Sequence, residues 1–240
     1  MALPRIDVPT FEITLPISKQ NIKFRPFLVK EQKILLIALE SNDPIINERN
    51  IKQILQNCSI TDIDVDNLSM IDVEYYLLNL RARSVGEVVE TKYKCENVVS
   101  DQECGQSMDV KYNILDIEVK NIESIENLIQ ITEDISIKMK YPDFSMMYKL
   151  MALDSGSDAA FELVINCVDY ILHGDEIYHG HETPKEELLQ FLESLTSQQF
   201  AKIEQFFDSL PVIEKQLDVV CPKCGFKHHI EIRGLDNFFG

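Results

Sequence analysis

Four of the six cysteines in this chain form two pairs whose spacing suits metal binding. Cys221 and Cys224 belong to the run Cys-Pro-Lys-Cys-Gly, in which two thiolates can face one ion while the glycine permits a tight turn. Cys95 and Cys104 are separated by eight residues, and a glycine again follows the second cysteine. Four thiolates meeting between two such turns coordinate Zn²⁺ tetrahedrally and leave no position for a reacting ligand. The spacing therefore predicts one structural Zn²⁺ per chain, held by these four cysteines.

Three other interpretations of the cysteines stay open at this point. The pairs could be unligated surface thiols, or Cys221 and Cys224 could form a redox pair. A thioredoxin-like redox pair opens a helix in a βαβ unit, whereas this pair lies between two strand-like segments. His228 completes a Cys-x₂-Cys-x₃-His pattern and could replace one cysteine as a ligand. The alternation after Gly225 favours the four-cysteine set, because it turns His228 away from the metal.

Other residues that could do chemistry have ordinary structural interpretations. Cys58 and Cys167 lie on apolar helical faces, which is typical of core cysteines. The run HGDEIYHGH at residues 173–181 could hold a metal or an acid–base pair, but its glycines favour a polar hairpin or turn. The chain contains no Gly-x-Ser-x-Gly elbow and no His-Glu-x-x-His pair. These motifs therefore assign no catalytic residue.

The segments that flank the cysteine pairs alternate apolar and polar residues, which predicts strands. They read EVVETKYK and SMDVKYNI around the first pair, and PVIEKQLDVV and HHIEIRGLDNFF around the second. Two pseudo-equivalent hairpins should therefore form a β-rich, zinc-ribbon-like lobe. Because Cys104 and Cys221 are 117 residues apart, a shared metal would join the middle of the chain to its C-terminal hairpin. Such a metal contributes folding free energy that a small lobe lacks.

Periodicity predicts the elements around this lobe. A hairpin is expected over residues 11–28, and further strands at 117–119, 128–132 and 135–140. Helices are expected at 29–39, 43–58, 69–82, 143–150 and 157–172, followed by two short antiparallel helices with capping boxes at Thr183 and Thr196. The helix at 29–39 is so apolar on successive positions that we expect it in the core.

These elements predict an α+β fold in four segments. Residues 1–86 form an N-terminal hairpin plus helices, and 87–142 a β-rich region with the first cysteine pair. Residues 143–211 form a helical region packed beside the lobe, and 212–240 a C-terminal hairpin that closes the zinc lobe as one compact unit with 87–142. No Pro-, Gly- or Ser-rich linker separates the segments.

Composition limits the classes of partner. The formal net charge of −17 opposes binding to phosphate backbones, so we expect no nucleic-acid partner. The longest strictly apolar run, residues 34–39, is six residues long, whereas crossing a bilayer takes about 20. We therefore expect no membrane span, and the first residues lack the pattern of a secretion signal.

Basic residues gather loosely on the first hairpin and helix. They are Lys19, Lys23, Arg25, Lys30 and Lys33. They could form a solvated face whose side-chain stems pack locally. They could also form a charge-complementary docking edge for another protein, since the rest of the chain is acidic.

Several short runs, in order over nearly the whole chain, resemble one protein family. They are residues 15–16 (LP), 24–33 (FRPFLVKEQK) with 35–41, 81–87 (RARSVGE), 195–200 (LTSQQF) and 232–239 (IRGLDNFF). These runs resemble the baseplate hub subunit family of T-even-type contractile-tailed bacteriophages. The zinc prediction is independent of this resemblance and depends on the cysteine spacing alone.

The resemblance implies a late viral protein that helps to assemble the central hub of the tail baseplate, without catalytic activity or a nucleic-acid target. The implied partners are the trimeric hub proteins, the tail-spike lysozyme and the tape-measure protein. The implied location is the tail baseplate of the virion, and the host cytoplasm during assembly. Two alternatives stay open: a transient assembly chaperone absent from the virion, and a zinc-ribbon adaptor that binds nucleic acid or transcription machinery.

Overall fold

The computed structural model describes residues 6–41, 43–122, 127–152 and 157–233 and has a mixed α+β fold, which confirms the predicted class. The strands are β1 (Phe11–Thr14), β2 (Asn21–Phe24), β3 (Val88–Lys94), β4 (Val98–Val99), β5 (Gln102–Glu103), β6 (Ser107–Asn113), β7 (Glu118–Lys120), β8 (Leu128–Gln130), β9 (Ile135–Met139), β10 (Val168–His173), β11 (Glu176–His179), β12 (Val212–Val220) and β13 (Lys227–Arg233). The helices are α1 (Val29–Glu40), α2 (Pro44–Cys58), α3 (Met70–Val85), α4 (Phe144–Met151), α5 (Ser157–Cys167), α6 (Lys185–Glu193) and α7 (Ser197–Asp208).

Local capping explains where several helices begin. Asp43 caps α2 with Pro44 at the first helical position, and the Ser69 side chain accepts the N–H of Asp72 at the start of α3. Thr196 and Gln199 form the predicted capping box of α7. The prediction of a capping box at Thr183 is wrong, because the Thr183 hydroxyl donates to the carbonyl of His179 instead.

The strands pair in antiparallel fashion in small sheets. One sheet has the order β11-β10-β9-β8 and another the order β13-β12-β7. The pairs β1-β2, β3-β6 and β4-β5 each form a two-stranded sheet. Both strand pairs predicted around the cysteines, β3-β6 and β12-β13, are therefore present.

Helix α3 lies between two hydrophobic clusters. Tyr76 and Leu80 pack with the β1-β2 hairpin, α2 and α4 in one cluster. Leu78 and Ala82 pack with residues of β3, β6, β12 and β13 in another. A separate cluster packs the β8–β11 sheet against the helices α4 to α7. Burial of each large apolar side chain contributes about 1.5 to 3 kcal/mol, so α3 stabilises the hairpins that carry the cysteines.

Two buried carboxylates have partners inside the N-terminal region. Asp72 is fully buried and accepts the backbone N–H groups of Ile17 and Ser18 at 2.8 and 2.9 Å. Glu31 is also fully buried and pairs with Arg25 at 3.1 Å. Arg25 is therefore used inside the fold and does not extend the basic edge that the sequence suggested.

The prediction that the first helix lies in the core is wrong for one side of α1. Its inner side carries Glu31 and Ala38, which are buried. Val29, Leu36 and Ile37 are 69%, 52% and 56% exposed. The apolar residues of α1 continue around to the outer side of the helix, where the described residues provide no cover.

The helix predicted over residues 157–172 is wrong beyond Cys167. The segment Val168–His173 is strand β10, which pairs with β9 on one side and β11 on the other. The turn after His173 has Gly174 at φ +58, a conformation that favours glycine, so the polar run forms a hairpin. Tertiary pairing with β9 therefore overrides the helical stripe read from the sequence.

Two segments singled out in the sequence extend beyond the described residues. The run at 232–239 is described only to residue 233, and the C-terminal segment predicted from 212 to 240 only to the same point. Among the described helices, none has the length and apolar character that a membrane crossing requires.

Candidate metal centre

Two turns with the same backbone pattern carry the four paired cysteines. In the first knuckle (residues 95–106), the N–H of Cys95 donates to the carbonyl of Gln106 at 2.8 Å, and the N–H of Gly105 to the carbonyl of Cys95 at 3.0 Å. In the second knuckle (residues 221–226), Cys221 donates to Phe226 at 2.8 Å. The N–H of Gly225 donates to the carbonyl of Cys221 at 2.9 Å, which matches the bond from Gly105 to Cys95.

A glycine at positive φ closes each knuckle. Gly105 has φ +63 and Gly225 has φ +73, a region that side chains other than glycine rarely adopt. Together with the matching hydrogen bonds, these angles make the two knuckles structural equivalents, as the flanking sequence predicted.

The long spacer of the first knuckle is a small hairpin inserted between its cysteines. Strands β4 and β5 pair there, and the turn between them holds Ser100 and Asp101 at φ 52 and 64. The N–H of Cys104 donates to the carbonyl of Asn97 at 2.8 Å and closes the base of this hairpin. Because the two ends of the insertion lie together, the eight-residue spacer brings Cys95 and Cys104 as close as a two-residue spacer would.

The four sulfur atoms converge on one point. The Sγ atoms of Cys95 and Cys224 are 3.6 Å apart, and those of Cys104 and Cys221 are 3.8 Å apart. All four lie within 4.8 Å of one another. Four sulfurs held about 2.3 Å from a tetrahedral Zn²⁺ lie about 3.8 Å from each other, whereas a disulfide requires about 2.05 Å. The donor set and its spacing therefore fit a tetrahedral metal ion, and all four cysteines are free thiols.

Neighbouring polar groups orient the sulfurs. The Nε2 atom of His228 lies 3.1 Å from Sγ of Cys95, and the side-chain amide of Asn97 donates to Sγ of Cys224 at 3.7 Å. The ammonium group of Lys223 donates to the carbonyl of Cys104 at 3.0 Å. The expectation that His228 turns away from the site is wrong, because its ring contacts Sγ of Cys95, although it does not belong to the group of mutually close ligand atoms. Sequence reasoning missed Asn97, which only the folded insertion brings to the site.

The surroundings of Cys95 and Cys224 shift the pKa values of these two thiols in opposite directions. Burial raises the pKa of Cys95 to about 12. The backbone N–H of Phe226 donates to Cys224 and, against the effect of burial, lowers the pKa of that thiol to about 6. Without a metal, the Cys224 thiol therefore loses a proton more readily than the Cys95 thiol, because the two sulfurs differ in hydrogen bonding and burial. Binding a cation to the full set releases protons, which makes metal affinity depend on pH.

The remaining sequence candidates lie apart from this cluster. Cys58 and Cys167 are fully buried in two different hydrophobic clusters, and burial raises the pKa of each to about 12. His179 and His181 lie in or just after the β10-β11 hairpin, with ring centroids 5.5 Å apart. Within the described ranges, the four paired cysteines are the one group of three or more His, Cys, Asp or Glu side chains placed to hold a metal.

Comparison with known proteins agrees with the resemblance in the sequence. The model of a family described as T4 bacteriophage base plate protein matches residues 8–240. The baseplate hub assembly protein gp26 of Enterobacteria phage T4 is 25% identical over 230 residues, which cover 95% of this chain and 97% of that protein. No solved structure matches the chain. Because the family match covers nearly the whole chain, this protein belongs to the T4 bacteriophage base plate protein family.

Proposed function

We propose that this chain is a non-enzymatic subunit that builds the hub of a phage tail baseplate through protein–protein contacts. The observation that carries the proposal is the end-to-end match with a relative whose name states hub assembly. The proposed partners are other hub and central tail proteins, namely the hub trimer, the spike lysozyme and the tape-measure protein. The proposed location is the tail baseplate of the virion, with the host cytoplasm as the place of assembly.

We further propose that Cys95, Cys104, Cys221 and Cys224 hold one structural Zn²⁺. Sulfur spacing of 3.6 and 3.8 Å and an all-thiol donor set support zinc. A bound ion neutralises thiolate charge and links the two knuckles. The protein contributes the two equivalent turns, the N–H of Phe226 near Cys224, and burial that keeps water from most of the site. In this role the metal stabilises the fold and takes no part in a reaction.

Metal analysis of the purified full-length protein tests the zinc proposal. We expect about one zinc per chain in the wild type and a large loss in Cys221→Ser. Cys58→Ser is the matched control, because Cys58 is equally buried but lies in a different cluster, and its metal content should match the wild type. A folded wild-type protein without zinc, or a Cys221→Ser variant that keeps its zinc, would contradict the proposal.

Mass spectrometry of purified tails tests the location. If the chain is a built-in hub subunit, its peptides appear in tails at a fixed ratio to those of other hub proteins. The word "assembly" in the relative's name favours a second candidate, a chaperone that leaves before the virion is complete. Absence of the chain from tails, together with its presence in assembly intermediates, would select that chaperone role.

A nucleic-acid adaptor is the candidate from another class, and the paired knuckles are the feature that favours it. The formal net charge of −17 opposes it. We expect no measurable binding to duplex DNA or single-stranded RNA at physiological salt in a fluorescence-anisotropy titration. Binding that weakens steeply as salt rises would favour the adaptor over the hub subunit.

A further inference from the structure

Helix α1 and the first turn of α2 expose an unusual amount of apolar surface for a chain with this much charge. The apolar residues of this surface, whose exposed fractions range from 43% to 69%, are Val29, Leu36, Ile37, Ile45 and Ile46. We name this surface the α1 face and include in it the charged residues Lys33 and Glu40, which are exposed on the same side of α1. Contiguous apolar surface framed by charge is typical of a protein interaction site.

These residues form one continuous surface. Val29, Lys33, Leu36, Ile37 and Glu40 recur at spacings of three and four residues, which places them along one side of a helix. The start of α2 is attached to the end of α1 by short polar contacts. The Asn47 side chain donates to the carbonyl of Ser41 at 3.2 Å, so the first turn of α2, where Ile45 and Ile46 are exposed, lies next to the end of α1.

The charges on this face are balanced. Among the described residues, neither Lys33 nor Glu40 has an ion-pair partner, whereas Lys30 and Arg25 both contact Glu31. The face therefore presents one unpaired cation in its first half and one unpaired anion at its end. Both lie the same number of residues from the midpoint between Leu36 and Ile37.

We propose that the α1 face is self-complementary and binds a second copy of this chain, with the two α1 helices antiparallel. A two-fold axis between Leu36 and Ile37 places Leu36 opposite Ile37 of the second copy, and Lys33 opposite Glu40 of the second copy. The same axis brings Val29 towards the first turn of α2 in the second copy, where Ile45 and Ile46 are exposed. The exposed apolar pair and the charged pair of α1 thereby each meet a complementary group.

Symmetry is the reason for choosing a second copy over an unlike protein. In an isologous contact each residue is used twice, so one cation and one anion equidistant from the axis make two ion pairs. An unlike partner gives no reason for that placement. The remaining negative charge of the chain opposes self-association only at short range, because the Debye length is about 8 Å at physiological salt.

Sedimentation velocity of the full-length protein over a range of concentrations tests this proposal. We expect a concentration-dependent dimer in the wild type. Lys33→Glu and Glu40→Lys should each raise the dimer dissociation constant about tenfold or more, since each creates two like-charge contacts. The double variant, carrying both substitutions, should recover most of the wild-type affinity because it exchanges the signs of both pairs.

A matched pair of variants tests whether dimerisation depends on the α1 face or on exposed apolar residues in general. Ile37 and Ile177 are both 56% exposed, and Ile177 lies in β11, away from the face. We expect Ile37→Lys to abolish dimers and Ile177→Lys to leave them unchanged, with circular dichroism confirming that both variants fold. A wild type that is monomeric at every concentration, equal effects of the two lysines, or no recovery in the double variant would each overturn the proposal.

Discussion

The sulfur atoms of the cysteine cluster differ in exposure and in hydrogen bonding. Cys95, Cys104 and Cys221 are buried, while Cys224 is partly exposed and accepts N–H groups from Phe226 and Asn97. His228 lies against Cys95 at 3.1 Å. Groups in this position orient a ligand and tune its basicity without joining the coordination set.

Substitution of His228 distinguishes an orienting group from a ligand. For His228→Gln we expect the full zinc content, with an affinity about 10- to 100-fold lower, because the contact to Cys95 changes while four thiolates stay available. Cys95→Ser should instead lose the metal. Zinc titration against a competing chelator measures both, and His229→Gln is the control since that side chain is exposed and pairs with Asp218. Complete loss of zinc in His228→Gln would make the histidine a ligand.

At the level of elements, the insertion between Cys95 and Cys104 explains how unequal spacers give equal turns. The β4-β5 hairpin leaves and re-enters the first knuckle at neighbouring points, and the hydrogen bonds made by the N–H groups of Cys95 and Gly105 match those of the second knuckle. The insertion is therefore an addition to a complete turn and not a part of the metal site's frame.

Shortening the insertion tests that conclusion. Replacing residues 96–103 by Pro-Lys converts the first knuckle to the spacing of the second. We expect one zinc per chain to stay bound, with a modest loss of affinity because the contact from Asn97 to Cys224 disappears. Metal analysis and thermal unfolding check this result. A variant that folds but binds no zinc would show that the hairpin is required.

Strands β7, β12 and β13 are joined by a carboxylate in the middle of their sheet. Glu214 on β12 is buried and contacts Lys120 of β7 at 2.6 Å and Arg233 of β13 at 2.9 Å. The hydrogen bond from Lys120, opposed by burial and reinforced by Arg233, lowers the pKa of Glu214 to about 2. The ionised carboxylate therefore stabilises the three-stranded sheet.

This pKa predicts how stability depends on pH. A folded pKa of about 2 lies below the ordinary value of 4.5, so the contribution of Glu214 is complete above pH 4.5 and is lost as pH falls towards 2. We expect Glu214→Gln to be less stable by about 1 to 2 kcal/mol at pH 7, and the difference to shrink over that acid range. Thermal unfolding at pH 7, 4 and 3 measures it. Glu90→Gln, in an exposed pair with Lys111, is the control; a constant difference across these pH values would contradict the expectation.

For the whole molecule, the metal site lies at the far end of two hairpins that reach the rest of the chain through α3. The third hydrophobic cluster joins those hairpins to α3, and the cysteines form their own small cluster with Met108. The β8–β11 sheet and the helices around it pack in a separate cluster. Metal binding should therefore act on one part of the molecule more than on the others. The division into segments at residues 86, 142 and 211 stays a prediction.

Removal of the metal tests this regional effect. After treatment with a strong zinc chelator, we expect faster amide hydrogen exchange in β3, β6, β12 and β13, because the link between their ends is lost. Exchange in β9 and β10 should change little, since these strands pack in a different cluster. Hydrogen–deuterium exchange with mass spectrometry resolves these peptides. Unchanged exchange in all of them, or an equal increase in all of them, would contradict a local role for the metal.

Features that depend on close neighbours along the chain could be predicted from the amino-acid sequence. The helix starts at Asp43 and Thr196 were predictable because each of these side chains accepts backbone N–H groups within three residues. The two knuckles were predictable for the same reason, since cysteine, glycine and the flanking alternation are all local. The family followed from runs spread along the chain.

Which apolar surfaces are covered depends instead on contacts between segments that are distant along the chain. The outer side of α1 is exposed although its sequence resembles a core helix, because burial depends on what packs there and not on composition. Residues 168–173 form β10 because β9 and β11 lie on either side to pair with them. The meeting of the two knuckles, 117 residues apart between Cys104 and Cys221, likewise required the packing of both hairpins against α3.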